Sequence, residues 1–168
     1  VGNSLQLIAA MLQMQSQANS SPEVKTALLD AATRVMAVAQ VHRRLYTSED
    51  VKTVAIDQYL NALIEDLRSS TEGDAFAQLS LAADPVETDP DRAVAIGVIV
   101  NELVINALKY AYPSGKGPIR VGLRAEGGNA VISVEDDGVG FADSAPIGST
   151  GLGQRIVKAM ADKLGARI

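Results

Sequence analysis

Four polar residues recur at helical spacing in an otherwise apolar stretch, Glu102-Leu-Val-Ile-Asn106-Ala-Leu-Lys109-Tyr110, with apolar Ile105 and Leu108 among them and Val98 one turn ahead. On a helix, Glu102, Asn106, Lys109 and Tyr110 fall along one ridge. An asparagine amide can ligate a hard cation through its oxygen without adding negative charge. A nearby lysine can neutralise phosphate oxygens, and magnesium with a triphosphate needs both. Asn106 is therefore the candidate metal ligand, and Lys109 and Tyr110 are candidate nucleotide contacts.

Two glycine-containing segments follow. In Asp136-Asp137-Gly138-Val139-Gly140-Phe141, Asp136 can accept a hydrogen bond from an exocyclic amine, and Gly138 and Gly140 let the backbone approach a base closely. In Gly148-Ser-Thr150-Gly151-Leu152-Gly153-Gln154, the glycines free backbone N–H groups at the mouth of a following helix, where the dipole favours phosphate. Either motif alone is common by chance. Their order after the asparagine helix is what carries specificity.

These residues need elements to hold them. Asp89-Pro90 opens a long helix expected to run to about Ala111. Residues 119–125 and 131–135 alternate like paired strands around a turn at Gly127-Gly128-Asn129, and a further strand is expected over residues 78–82. A last helix reaches Leu164, with Gly165 as its stop and a strand beginning at residues 166–168. Upstream, Val54 to Ile56 is a short β-branched run. Asp57 is expected to cap a helix that turns Leu60, Leu63, Ile64 and Leu67 inward.

The first 49 residues have a different character. Val1, Leu5, Ile8 and Leu12 form one heptad-like stripe, and Leu7, Met11, Met14 and Ala18 form a second. Ser21-Pro22 signals a second helix, whose seam runs through Val24, Leu28, Ala31, Val35, Val38, His42 and Leu45. Two helices cannot enclose a core alone, so the hairpin predicts a homodimeric four-helix bundle. The expected fold class is α+β: a helical hairpin over residues 1–49, then an α/β-sandwich ATP-binding domain over residues 50–168.

The chain has 168 residues, 47% apolar and 21% charged, with no cysteine and a net charge of −5. It can bury a core, and it has no thiolate metal site, disulfide or cysteine nucleophile. Its acidity, without a basic cluster, argues against polymeric nucleic acid. The apolar stretch from Ala93 to Ile105 is too short for a bilayer span and contains Asn101 and Glu102, so no membrane segment is expected within this chain. A cytoplasmic setting is the expectation.

Taken in order, the asparagine helix, the strand ending in Asp-x-Gly-x-Gly and the loop with Gly-x-Gly opening a helix resemble the GHKL ATPase superfamily. Asn-Ala-x-Lys-Tyr looks like its histidine-kinase form. The hairpin, with Leu5-Gln6-Leu7 near its start and Val41-His42-Arg43-Arg44-Leu45-Tyr46 near its end, is similar to the HWE-like branch of sensor kinases. It lacks the histidine and Trp-x-Glu signatures that name that branch. The resemblance implies a Bergerat-type ATP-binding domain in which Asn106 binds magnesium, Asp136 contacts adenine and Lys109 approaches the phosphates. Gly138, Gly140, Gly151 and Gly153, with Thr150 and Leu152 beside them, shape the lid, and Glu102 helps activate the nucleophile. It also implies a receiver-domain aspartate of a response regulator as the phosphate's destination, and a final sheet strand beyond Ile168.

His42 is the only histidine, yet it sits on the apolar seam late in the second helix, where a packed interface histidine is the expectation. In the relatives the phosphoacceptor opens the first helix, which places it two residues before Val1. Asn3 then falls one turn later on the same face, where its amide could orient water for a phosphatase reaction. Met11, Met14 and Met36 read as bundle packing, and Asp84, Glu87, Asp89 and Asp91 as turn and capping residues. Two other classes stay open: a docking or phosphotransfer protein that binds no ATP, and a GHKL serine kinase of the anti-sigma type.

Overall fold

The computed structural model describes residues 2–46, 52–70, 76–140 and 152–168. Helices α1 (Gly2–Ala18) and α2 (Pro22–Leu45) form the expected hairpin. Ser21 caps α2 by accepting from the Val24 N–H at 3.4 Å, and Pro22 takes a first-turn position where a missing N–H is no loss. Ser16, buried on α1, donates its hydroxyl to the Lys25 carbonyl at 3.0 Å, which puts residues 16 and 25 level with one another.

The stripe facing inward differs from the expected one. Ala9 and Ser16 on α1, and Ala32, Ala39, Val41 and Leu45 on α2, are the buried positions, so of the expected α2 seam only Leu45 is fully buried, and Ile8 is 46% exposed. Small residues let two helices approach closely, and a search for large apolar side chains passes over them. Leu28, Ala31, Val35, Val38 and His42 are only half-buried. Leu7, Met11 and Met14, the second stripe read from the sequence, are half or more exposed.

The second part is two-layered. Strands β2 (Leu79–Ala83), β4 (Ile119–Glu126) and β5 (Asn129–Asp136) lie side by side in the order β2-β4-β5; β2 runs parallel to β4, and β5 antiparallel to it. The turn joining β4 to β5 needs positive φ at both Gly127 (+54°) and Gly128 (+82°), which glycine supplies without strain. A two-residue ribbon pairs β1 (Val54–Ala55) with β3 (Glu87–Thr88). Helix α3 (Ile56–Ser70) starts one residue before Asp57, which therefore lies inside the first turn rather than capping it.

Helix α4 (Pro90–Asn106) crosses between the parallel strands β2 and β4. Asp89 accepts from the Arg92 N–H at 3.0 Å as its cap. Ile96, Val100 and Val104 of α4 meet Ile56, Leu60 and Ile64 of α3 and Ile119, Val121 and Leu123 of β4 in one core. Val41 and Leu45 of α2 join that same core, so the hairpin is packed onto the second part rather than merely tethered to it. From Ala107 to Ala111 the helix widens into a π turn, where a continuous α-helix was expected. Pro90 to Ala111, 22 residues with hydropathy 1.5, is long and apolar enough for a bilayer span, contrary to the shorter estimate from the sequence; more than half of it is buried within the protein.

Helix α5 (Leu152–Leu164) lays Val157 and Ala161 against Ile99 of α4. Gly165, at φ +65°, closes it, with the Ala166 N–H bonded to the Ala161 carbonyl at 2.9 Å. Residues 166–168 form no strand: no neighbouring strand lies beside them among the described residues, and Ile168 is 90% exposed. The boundary expected near residue 49 lies outside the described residues.

Candidate functional site

Glu102 and Asn106 lie one turn apart on α4, as their spacing requires, and Gly153, in the first turn of α5, sits over both. A Cβ built on Gly153 would be 2.9 Å from Glu102 Oε2 and 3.4 Å from Asn106 Nδ2. Only a glycine admits this approach without displacing those side chains. Glu102 is 2% exposed. A buried carboxylate requires a partner, and it finds one on the hairpin: Arg34 Nε donates to Oε1 at 3.1 Å and to Oε2 at 3.0 Å.

Arg34 continues the contact outward. Its Nη2 also lies against Gly153, and its Nη1 stands 3.6 Å from Asp30, the residue one turn back on α2. Asp30 in turn accepts from Lys109 Nζ at 3.0 Å. Neither Asp30 nor Arg34 was singled out from the sequence. The available signal was an acid and a base four residues apart on a helix that is otherwise largely apolar.

The second half of the site meets the far end of the π turn. Val139 N–H donates to the Ala111 carbonyl at 2.9 Å, and a Cβ on Gly138 would fall 2.2 Å from that oxygen, so the loop and the turn touch backbone to backbone. Asp136 accepts from the Gly138 N–H at 2.9 Å through Oδ1, folding the carboxylate over its own loop. Gly140 holds φ +74°, where a side chain would be strained.

Asp137, next to Asp136, is engaged elsewhere. Arg120 holds it in a two-pronged contact at 2.8 and 3.0 Å, and that hydrogen bonding keeps its carboxyl below the usual range. The Tyr112 hydroxyl accepts from the Asp137 N–H at 2.8 Å and donates to the Pro118 carbonyl. Among the described residues, Asp136 is the acid of the pair with one carboxylate oxygen unengaged.

Thus the structure brings Glu102, Asn106 and Gly153 together and sets Asp136, Gly138 and Gly140 at the other end of the π turn. Tyr110 is half-buried on that turn, and among the described residues no hydrogen bond joins it to the cluster. Thr150 and Gly151 lie outside the described residues, as do the side chains of Leu152 and Asn3. His42 is half-buried with its ring stacked on Tyr46, centroids 4.3 Å apart, as expected of a packed histidine. Of the acids near Pro85 and Pro90, Asp89 caps α4, Asp84 accepts from the Ala125 N–H and Asp91 from the Tyr46 hydroxyl. No group of metal-binding acids and histidines is found among the described residues.

The donor chemistry is of the kind a magnesium–nucleotide pair takes, since Asn106 offers a neutral amide oxygen one helical turn from the Glu102 carboxylate.

Comparison with known proteins finds two families along the chain. The family described as "Histidine kinase" matches residues 1–71, and the family described as "Histidine kinase-like ATPase domain" matches residues 66–167. The sensor histidine kinase PdtaS of Mycobacterium tuberculosis is 30% identical over 163 residues, covering 95% of this chain and 32% of that protein. An anti-sigma F factor of Clostridium kluyveri is 27% identical over 85 residues, covering 49% of this chain and 60% of that protein. The solved structure of the Erythrobacter litoralis EL346 blue-light activated histidine kinase superposes with a TM-score of 0.67 at 26% identity. That match covers 96% of this chain and 57% of that one. The chain thus spans about a third of the curated relative and just over half of the solved one.

Proposed function

The chain belongs to the histidine kinase-like ATPase family, with a histidine kinase hairpin ahead of that domain, and from this we propose that it is the catalytic core of an ATP-dependent histidine autokinase. The observation that carries the proposal is the meeting of Glu102, Asn106 and Gly153 at the junction of α4, α5 and the hairpin.

In this reading the Asn106 amide oxygen holds magnesium, whose charge would offset that developing on the transferred phosphoryl group. Asp136 takes the adenine amine through its unshared carboxylate oxygen, and Gly138 and Gly140 let the loop lie close to the base. Lys109 pairs with phosphate oxygens, and the N–H groups opening α5 at Gly153 face them along the helix dipole. Glu102 accepts the imidazole proton as the histidine nitrogen bonds to the γ-phosphorus and the bond to the β–γ bridging oxygen breaks. The acceptor is a histidine ahead of Val1, and the phosphoryl group passes on to a response-regulator aspartate. Asn3, one turn after the acceptor, orients water for the reverse hydrolysis. Domains of residues 1–49 and 50–168 divide these tasks.

The exposed stripe of Leu7, Met11 and Met14 supports a homodimeric bundle, because a run of large apolar side chains on one helix face gains by burial against a copy of itself. A cytoplasmic setting, which would supply the ATP, is part of the same proposal.

The likeness to an anti-sigma F factor keeps a serine-kinase reading in view, but it extends over about half of the chain, whereas the histidine kinase match includes the hairpin. A docking role without nucleotide is separated by titration. We expect the protein to bind an ATP analogue with magnesium and to lose about tenfold or more in affinity when magnesium is chelated, the equivalent of about 1.4 kcal/mol. No binding in either condition would favour the docking role.

A further inference from the structure

We propose that Asp30 and Arg34 of α2 form a latch that competes with nucleotide phosphate for the ATP site and holds the domain away from the acceptor histidine until phosphate displaces it. This rests on the reading of Lys109 as a phosphate contact and Glu102 as the proton acceptor.

The latch is a chain of alternating charges between the two parts of the protein. Lys109 meets Asp30 at 3.0 Å, Asp30 meets Arg34 at 3.6 Å, and Arg34 meets Glu102 at 3.0 Å. It runs inward from an exposed cation to a buried acid, with side-chain exposures of 44%, 24%, 14% and 3% in that order. Both groups that the reaction uses are thereby engaged by the hairpin. Phosphate oxygens at Lys109 would stand beside the Asp30 carboxylate, and like charges a few ångströms apart repel. Phosphate binding and closure of the chain therefore oppose each other.

The position of the latch along the hairpin adds a second argument. With Ser16 level with Lys25, Arg34 is level with residue 7 of α1. The expected acceptor lies eight positions before residue 7. At 1.5 Å per residue, that is about 12 Å along the helix axis. Glu102, buried beneath Gly153 and bound to Arg34, cannot take a proton from a group that far away. The arrangement that satisfies Glu102 and Lys109 through the hairpin is one that does not transfer phosphate. By linkage, whatever breaks the latch strengthens nucleotide binding, and nucleotide binding loosens the hairpin in equal measure.

Titrating a fluorescent, non-hydrolysable ATP analogue with magnesium into the unaltered protein and into Asp30→Asn, Arg34→Gln and Arg34→Lys tests this. Asp30→Asn removes a negative charge and Arg34→Gln a positive one, yet both break the latch, so both are expected to bind about tenfold more tightly. Arg34→Lys keeps the charge but loses the planar group that reaches Glu102 and Asp30 together, and is expected to tighten binding several-fold. A simple field effect predicts tightening in Asp30→Asn, weakening in Arg34→Gln and no change in Arg34→Lys. That pattern, or unchanged affinity in Asp30→Asn and Arg34→Lys, overturns the latch and leaves the ATP site standing. Absence of analogue binding in all four proteins overturns both.

Discussion

Replacing Asn106 with alanine is expected to lower ATP-dependent phosphorylation by about 10²- to 10³-fold while leaving the protein folded. Removing a single group that stabilises developing charge in an enzyme site costs about 2.7–4 kcal/mol of transition-state stabilisation, and the proposed magnesium ligand would be such a group. Stability should change little, because the Asn106 side chain is only partly buried and makes no hydrogen bond among the described residues. The two readouts therefore separate: the thermal midpoint stays within a few degrees while turnover collapses. Asn106→Asp sharpens the test, since it keeps an oxygen ligand but sets a second carboxylate one turn from the buried Glu102, and it should also be impaired. Full activity in Asn106→Ala would remove the basis for assigning the metal to this helix.

Gly138→Ala is expected to damage both stability and nucleotide affinity. Its Cβ would fall 2.2 Å from the Ala111 carbonyl oxygen and 2.4 Å from the Ala111 Cβ, well inside contact distance. Both obstacles belong to the π turn, so no flexible side chain can swing aside. Either the loop lifts away, losing the bond from the Val139 N–H to Ala111, or the turn unwinds. Overpacking of this kind costs about 1–3 kcal/mol, which in a protein of this size lowers the melting midpoint by roughly 2 to 12 °C. Because the turn begins immediately after Asn106, affinity should fall about tenfold or more, a displacement equal to about 1.4 kcal/mol. A melting curve and a titration both matching the unaltered protein would mean that the loop does not rest on Ala111.

Much of this arrangement is legible in the sequence wherever local chemistry decides the outcome. Ser21-Pro22 and Asp89-Pro90 begin helices because a side-chain acceptor and a preset φ act within one turn. Gly127-Gly128 turns the hairpin because both residues need positive φ. Glu102 and Asn106 share a face because a helix has a fixed period. The family itself is legible in the order of three short motifs.

What sequence reading misses depends on partners distant along the chain. Arg34 and Glu102 are 68 residues apart, and neither residue's neighbours suggest the pairing. The π turn forms over Ala107-Leu-Lys-Tyr-Ala, a stretch with no helix-breaking residue to mark it; its Ala111 end rests on the Gly138 loop. The buried stripe of α1 falls on Ala9 and Ser16 because close approach, rather than side-chain size, decides which face turns inward. Residues 166–168 pair with no strand among the described residues, and a strand requires its ladder.

On the proposed reading, this site sends the γ-phosphoryl group of ATP to a histidine at the start of the hairpin. Incubating the protein, in a form carrying the residues ahead of Val1, with γ-labelled ATP and magnesium tests it directly. The expected result is a label on the protein that survives alkali, is lost in mild acid, maps to a histidine preceding α1 and persists in His42→Ala. An acid-stable label on serine, a label that disappears with His42, or no label in a protein that binds ATP would contradict it.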